Sequence, residues 1–346
     1  MMNVMRQAVM TSPGIIDFRE VPVPEINADE VLVKVMNIGI CGSDIHVYKG
    51  QHPYTSYPVV QGHEVSCMVE EVGKNVRGFR RGDKVTIEPQ VSCGKCYPCT
   101  HGMYNICDKL KVMGFQTTGA ASDYFAVFAN KLVKLPDSMD FSHGAMIEPL
   151  AVAVRAVNKA GEMKDKKVVV LGVGPIGNLV AQTARSMGAA QVLAVDLNEF
   201  RLKKASECGI DRTVNSGTED LKTAIEKTFG KYEKADVFFE CAGAAATMTS
   251  SLTLARKGTS IVVVGVFGEK IGMDMALVNE NELTLIGTAR YVIEDFKTAI
   301  QLVNTGRVKL YPLITDNFKF KDYGQAYKRI ADEKEKVMKV IITVNE

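Results

Sequence analysis

No apolar run in the 346-residue chain approaches the roughly 20 residues that a membrane-crossing helix needs. The segment Met1 to Met10 holds Arg6 and Gln7 but no long apolar stretch and no cleavage-like small residues, so it does not read as a secretory signal. A cytoplasmic location is the expectation, with no membrane partner. Neither charge is in excess. A net charge of +2 leaves no broad electrostatic footprint for nucleic acid or an anionic surface. Basic runs such as Lys164 to Lys167 read as solvated surface. No internal repeat and no low-complexity tract is visible.

What is present is an ordinary globular composition, 46% apolar and 24% charged, in a chain too long for one hydrophobic core. Two domains are therefore expected. Up to about residue 145 the chain is rich in short β-type runs, among them 31–35, 58–60, 64–72 and 84–87. Gly and Pro punctuate them densely, as in a mostly antiparallel β domain. Near residue 150 the texture changes. Apolar runs at 168–171, 191–195, 236–239, 260–264 and 283–286 alternate with helical stretches at about 175–187, 199–207 and 245–254. That alternation predicts a parallel sheet built of βαβ units. Beyond Gly287 the pattern predicts helices around 294–304 and 323–332 and a last strand at 339–343, a tail expected to return to the first domain.

The run 168–171 leads into Gly172-Val-Gly174-Pro175-Ile176-Gly177, a G-x-G-x-x-G between a predicted strand and a predicted helix. In that setting the first Gly permits the tight turn, the second lets backbone approach a pyrophosphate, and the third lets helix pack on strand. The next predicted strand reaches Asp196, close to the ~20 residues at which a carboxylate meets the adenosine ribose. A dinucleotide site follows, with an ordinary Gly-rich turn as the plainer alternative.

Four of the eight cysteines crowd into Cys93-x2-Cys96-x2-Cys99-x7-Cys107. Four thiolates at such spacing can wrap one tetrahedral zinc with no open position, a structural site. Closing it supplies on the order of 10 kcal/mol of local folding energy. The first three share the ferredoxin spacing, but the x3-C-P continuation of an iron–sulfur motif is missing. A second set of zinc-competent donors is scattered: Cys41 in Gly39-Ile-Cys-Gly-Ser43-Asp-Ile-His46, then His63-Glu64, then Glu148 before Pro149. A catalytic zinc needs about three protein ligands and one open position. Singly, each of these residues reads as well as a core cysteine, a satisfied histidine or a helix cap.

The ordered set resembles the medium-chain zinc alcohol dehydrogenase family. It comprises G-I-C-G-S-D-x-H, G-H-E, G-D-K-V at 82–85, the four-cysteine lobe, E-P-L at 148–150 and G-V-G-P-I-G. In detail it is most similar to the polyol branch, with its sorbitol, L-idonate and related sugar-acid dehydrogenases. The resemblance implies an α/β protein in two parts. A GroES-like β-rich catalytic domain spans 1–149, with the zinc lobe at about 88–110. A Rossmann domain with a doubly wound parallel sheet spans 150–287, and a segment 288–346 returns to the first. It implies two zinc ions per chain and NAD as cofactor. Cys41, His63 and either Glu64 or Glu148 would surround the catalytic zinc. Ser43 would touch the reacting oxygen and His46 would relay its proton. Asp196 and Arg201 would hold the adenosine ribose. Val264-Gly265-Val266 and Thr288-Ala289-Arg290 would reach the nicotinamide half. Glu148, Arg290 and Tyr291 would contact a polyhydroxylated substrate. A homo-oligomer, dimer or tetramer, is implied as well.

The expected activity is transfer of hydride from a secondary alcohol of a polyol or sugar acid to NAD⁺. A threonine or butanediol dehydrogenase of the same architecture is the alternative. A non-catalytic nucleotide-binding regulator would be expected to have lost metal ligands, and Cys41, His63, Glu64 and Glu148 are all in place.

Overall fold

The computed structural model describes residues 4–345. The chain divides into two compact units, one made of 1–148, 292–300 and 314–346, the other of 149–291 and 301–313. Residues 301–313 thus belong with the second unit, although the sequence pattern assigns them to the returning tail.

The first unit is built on a seven-stranded sheet. Its centre is Glu30–Gly39, paired antiparallel with Glu64–Val72, with Tyr124–Phe128 and with the terminal strand Lys339–Thr343. The last of these runs parallel to Ile314–Lys319. Glu64–Val72 continues through Lys84–Ile87 to Leu132–Lys134. Val33, Val35, Val65, Val69, Ile87 and Ile342 fill the core at 0–1% exposure, and the helix Tyr323–Asp332 adds Tyr323, Ala326 and Tyr327 to it. The hairpin of Val4–Ser12 and Ile15–Pro22 is separate. The run 58–60 is not a strand. Only Val59 pairs, in an isolated bridge with Met10.

The second unit is a six-stranded, all-parallel sheet. Its order is Arg212–Asn215, Gln191–Asp196, Lys167–Leu171, Val237–Glu240, Ser260–Val263, Thr284–Gly287. Numbered along the chain this reads 3-2-1-4-5-6, the order of a doubly wound dinucleotide fold. Its central strands are apolar on both faces, as helices covering both sides require. Val168 to Leu171 and Phe238 and Phe239 are at most 1% exposed. The sequence pattern does not predict the helix Leu221–Phe229 or the edge strand Arg212–Asn215, which is four residues long with only Val214 buried.

Candidate active site

The first donor group grows out of a helix start. Cys41 is the N-cap of Gly42–Tyr48, and Asp44 three residues on turns back so that its Oδ2 accepts the Cys41 N–H at 2.9 Å. Such a reciprocal cap satisfies two of the donors a helix start would otherwise leave free. It also fixes where the Cys41 thiol points. Ser43 and His46 lie on the same helix, three residues apart and so on one face. Ser43 is half-buried and His46 is exposed.

His63 and Glu64 come from the edge of the strand Glu64–Val72, directly across from Gly39. A Cβ at position 39 would stand 2.3 Å from Glu64 Oε2, so only glycine leaves room for this carboxylate. His63 and Glu64 are 6% and 1% exposed, with Cys41 half-buried. One donor atom from each of the three lies within 4.8 Å of the other two. Donors bound at 2.0–2.3 Å around one ion fall within about this separation, so the set fits a zinc ion. His63 Nδ1 is buried without a hydrogen-bond partner among the described residues, and the carboxylate facing it is Asp44 Oδ1 at 3.4 Å. On its other side the ring meets Phe115, centroid to centroid 5.0 Å, and Phe115 in turn stacks on His52 at 4.9 Å.

Glu64 has a second partner. The buried Lys339 donates to its Oε1 at 2.8 Å, to its Oε2 at 2.6 Å and to the Ile40 carbonyl at 3.2 Å. Burial pushes the Lys339 ammonium down, but Glu64 foremost, then Cys41 and Glu148, hold it above its ordinary value. Glu148 opens the helix Ile147–Lys159 and is 6% exposed. It stands outside the group formed by Cys41, His63 and Glu64.

The four cysteines of the lobe also converge. One sulfur pair is 3.4 Å apart (Cys96 and Cys99) and another 3.7 Å (Cys96 and Cys107). These are too long for disulfides and close to the ~3.8 Å edge of a tetrahedron with 2.3 Å zinc–sulfur bonds. The backbone N–H groups of Lys95 and Cys96 lower the Cys93 thiol to about 6, while burial and the neighbouring sulfurs raise Cys99 to about 12. Without a cation the sulfurs share protons, and a divalent ion would let all four deprotonate.

In the second unit the Gly172–Gly177 turn has the shape its sequence predicts. A Cβ on Gly172 would meet Ala242 at 2.8 Å, and one on Gly177 would meet the Gly172 carbonyl at 1.8 Å. Gly174 faces open space at the start of helix Pro175–Ser186, which fits a pyrophosphate. Asp196 ends its strand 9% exposed. Its Oδ2 accepts the Val173 N–H at 2.8 Å, and its Oδ1 accepts those of Leu197 at 2.8 Å and Asn198 at 3.0 Å. The carboxylate thus joins the glycine turn to the end of the neighbouring strand. Arg201 Nη1 is 3.9 Å from it. The segment Val264–Val266 follows the strand Ser260–Val263, its first two N–H groups held by the Glu240 carbonyl at 2.8 Å and Val266 open at 92% exposure. Thr288 follows the last strand, and its N–H reaches the Val263 carbonyl at 3.3 Å. Ala289 and Arg290 are exposed, and Arg290 has a left-handed φ of 54°. Tyr291 is 3% exposed, more deeply placed than an open substrate contact would be.

Comparison with known proteins decides the family. The model of the alcohol dehydrogenase GroES-like domain matches residues 27–137, and that of the zinc-binding dehydrogenase matches residues 175–305. The sorbitol dehydrogenase of Bacillus subtilis is 31% identical over 99% of this chain and 98% of its own length. The chain belongs to the zinc-type medium-chain alcohol dehydrogenases. It is an oxidoreductase of the polyol branch. An alcohol dehydrogenase of Escherichia coli solved with NADH superposes with a TM-score of 0.92, at 30% identity, covering 99% of this chain and 100% of that one. The L-idonate 5-dehydrogenase of Escherichia coli superposes at 0.90, with 28% identity, 99% of this chain and 98% of that one.

Three residues beside the Cys41, His63 and Glu64 group are not singled out by the sequence. Asp44 stood inside the quoted G-I-C-G-S-D-x-H motif, and its place three residues after Cys41 was the available signal. Lys339 is a lone cation opening the apolar run 339–343, a sign of a buried partner. Gln61 had no signal, because nothing in the sequence shows that its side chain turns inward toward Asp44.

Proposed function

We propose that this dehydrogenase oxidises a secondary alcohol on a polyol or sugar acid with NAD⁺ as acceptor. The observation that carries the reading is the convergence of Cys41, His63 and Glu64 in the same chain as a dinucleotide fold with Asp196 at its second strand end. Cys41 and His63 would hold the catalytic zinc with Glu64, and Glu148 would stand beside it toward the substrate. The four-cysteine lobe would hold a second, structural zinc. Bound in these places, zinc supplies Lewis-acid polarisation of the substrate oxygen and the nicotinamide supplies the hydride acceptor. Ser43 Oγ would take the hydroxyl proton, and His46, one turn on and exposed, would pass it to solvent. Arg290 would donate to neighbouring hydroxyls or to a carboxylate, and Tyr291 would back it from a buried position. Val264 to Val266 and Thr288 to Arg290 would offer backbone to the nicotinamide half. Asp196 would accept the adenosine ribose hydroxyls with Arg201 beside it, which supports NAD over a 2′-phosphorylated cofactor.

The sorbitol and L-idonate dehydrogenases among the relatives support the substrate class. Free cysteines and the lack, among the described residues, of a helix long and apolar enough to cross a membrane agree with a cytoplasmic enzyme. We take it to act as a dimer or tetramer, which light scattering of the purified chain would check. The test of the site is His63→Ala. The variant should form no NADH from a polyol and should hold one zinc in place of two. Full activity, or an unchanged zinc content, would contradict the assignment.

A further inference from the structure

We propose that Tyr327, on the helix near the C-terminus, is a positioning residue for the zinc site, acting through Gln61 and Asp44 on His63. This rests on the reading of His63 as a zinc ligand. Asp44 is 1% exposed, and as a carboxylate it only accepts. Its Oδ2 is occupied by the Cys41 N–H, and its Oδ1 accepts from Gln61 Nε2 at 2.9 Å. That bond sets the orientation of the Gln61 amide, because the reverse would press an amide oxygen against a carboxylate. With the nitrogen committed, Gln61 Oε1 needs a donor, and the Tyr327 hydroxyl supplies it at 3.0 Å. Tyr323 places its own hydroxyl 3.3 Å from that of Tyr327 and completes the row. Gln61, Tyr323 and Tyr327 are each at most 2% exposed, so no water replaces a lost partner at low cost.

The row has one polarity, from Tyr327 through Gln61 to Asp44. It ends at the carboxylate oxygen that faces His63 Nδ1 at 3.4 Å. A metal-binding imidazole needs its outer nitrogen anchored if the other is to stay aimed at the ion. Gln61 is a good fixed point for that purpose. Its carbonyl accepts the Ala121 N–H at 2.9 Å, and a Cβ on the adjacent Gly119 would stand 2.4 Å from the same oxygen, so the backbone there has little freedom. Removing the Tyr327 hydroxyl leaves Gln61 Oε1 unpaired in a dry site. The amide is then free to turn, and Asp44 loses the donor that fixes Oδ1, the oxygen facing His63. The prediction is a looser His63 with no change in the ligands themselves.

Tyr327→Phe keeps the ring and removes the hydroxyl. The zinc-loaded, full-length variant should release its catalytic zinc to a chromogenic chelator roughly tenfold faster, the lower end of the range for outer-shell changes. The second zinc equivalent, in the four-cysteine lobe, should leave at the wild-type rate and serves as internal reference. The turnover number should fall while KM changes little. Gln61→Met removes the amide at similar volume and should act alike, and the double variant should be no worse than Gln61→Met alone. A lowered melting temperature with unchanged zinc release and turnover in both variants would make Tyr327 a packing residue and overturn the proposal. So would additive effects in the double variant. If Tyr327→Phe fails to fold, Gln61→Met alone decides by the same zinc-release measurement. Should His63→Ala leave the wild-type zinc content unaltered, the ligand reading itself fails, an outcome distinct from unaltered release in a chain that holds two zinc ions.

Discussion

Lys339 holds both carboxylate oxygens of Glu64, at 2.6 and 2.8 Å, with neither residue more than 3% exposed. The strand Lys339–Thr343 thereby supplies the counter-ion for a residue of the proposed zinc group. Removing one partner of a buried ion pair typically costs about 3–5 kcal/mol, because the other charge stays behind unpaired. Lys339→Met should show a loss of that order in denaturant unfolding of the metal-free chain. With zinc bound the loss should shrink, since the ion gives Glu64 a second positive neighbour. Equal losses with and without zinc would show that Glu64 and the metal do not meet.

Gly39→Ala probes the same carboxylate by sterics. The added methyl group would stand 2.3 Å from Glu64 Oε2, inside any van der Waals limit. Overpacking of this kind costs about 1–3 kcal/mol. The larger effect should be on metal content, with about one zinc retained per chain, held by the four cysteines. Retention of two, with wild-type activity, would place the catalytic ion away from Glu64.

Metal removal should separate the two sites. The lobe offers four thiolates that close around their ion, and the other group offers three mixed donors and an open position. Metal analysis after gentle dialysis should find close to two equivalents. Chelation should abolish NADH formation before the far-UV circular dichroism changes. A single equivalent in the fully active protein would contradict the assignment of Cys41 and His63.

The Asp196 carboxylate, three times hydrogen-bonded to backbone N–H groups, is fixed where the adenosine ribose would arrive. A phosphate brought to about 4 Å of it would meet a repulsion of up to a few kcal/mol at an intermediate effective dielectric. The wild-type chain should therefore favour NAD over NADP in kcat/KM by at least tenfold, the ion pair of Arg201 with Asp196 at 3.9 Å offsetting the repulsion only in part. Asp196→Ala should narrow the ratio, chiefly by losing activity with NAD. Equal values in the wild type would show that Asp196 does not select.

Much of this was legible in the sequence, and the reasons differ by residue. The helices Glu199–Glu207, Ala245–Leu254 and Tyr323–Asp332 and the strand Glu64–Val72 have the predicted bounds, and for Tyr323–Asp332 the reason is a strong apolar periodicity. The four cysteines and the glycine turn were readable because their chemistry is local, within 15 residues for the one and six for the other. Lys339 and Glu64 are 275 residues apart, and Tyr327 and Gln61 are 266 apart. No local pattern carries such pairings, which arise from the topology that lays the last strand beside Glu30–Gly39. The run 58–60 is apolar enough for a strand, but among the described residues it makes no ladder beyond the isolated bridge of Val59 with Met10.

Substrate is where the account is most exposed to test. The loop Gln51 to Tyr57 is polar and aromatic, Glu148 adds an acceptor in the first unit, and Arg290 is an exposed donor in the second. A site built to pair several hydroxyls leaves them unpaired with a simple alcohol, a mismatch that costs factors of ~10⁴ or more. If Arg290 meets a carboxylate, Arg290→Ala should lower kcat/KM for an aldonate by more than for a neutral polyol. The most direct measurement is NADH formation by the zinc-loaded enzyme against a panel of C5–C6 polyols, aldonates, sugar phosphates, threonine, butanediol and ethanol. A polyol or aldonate should give the highest kcat/KM, with ethanol lower by orders of magnitude. A kcat/KM for ethanol or a long aliphatic alcohol equal to that of the best polyol would contradict it.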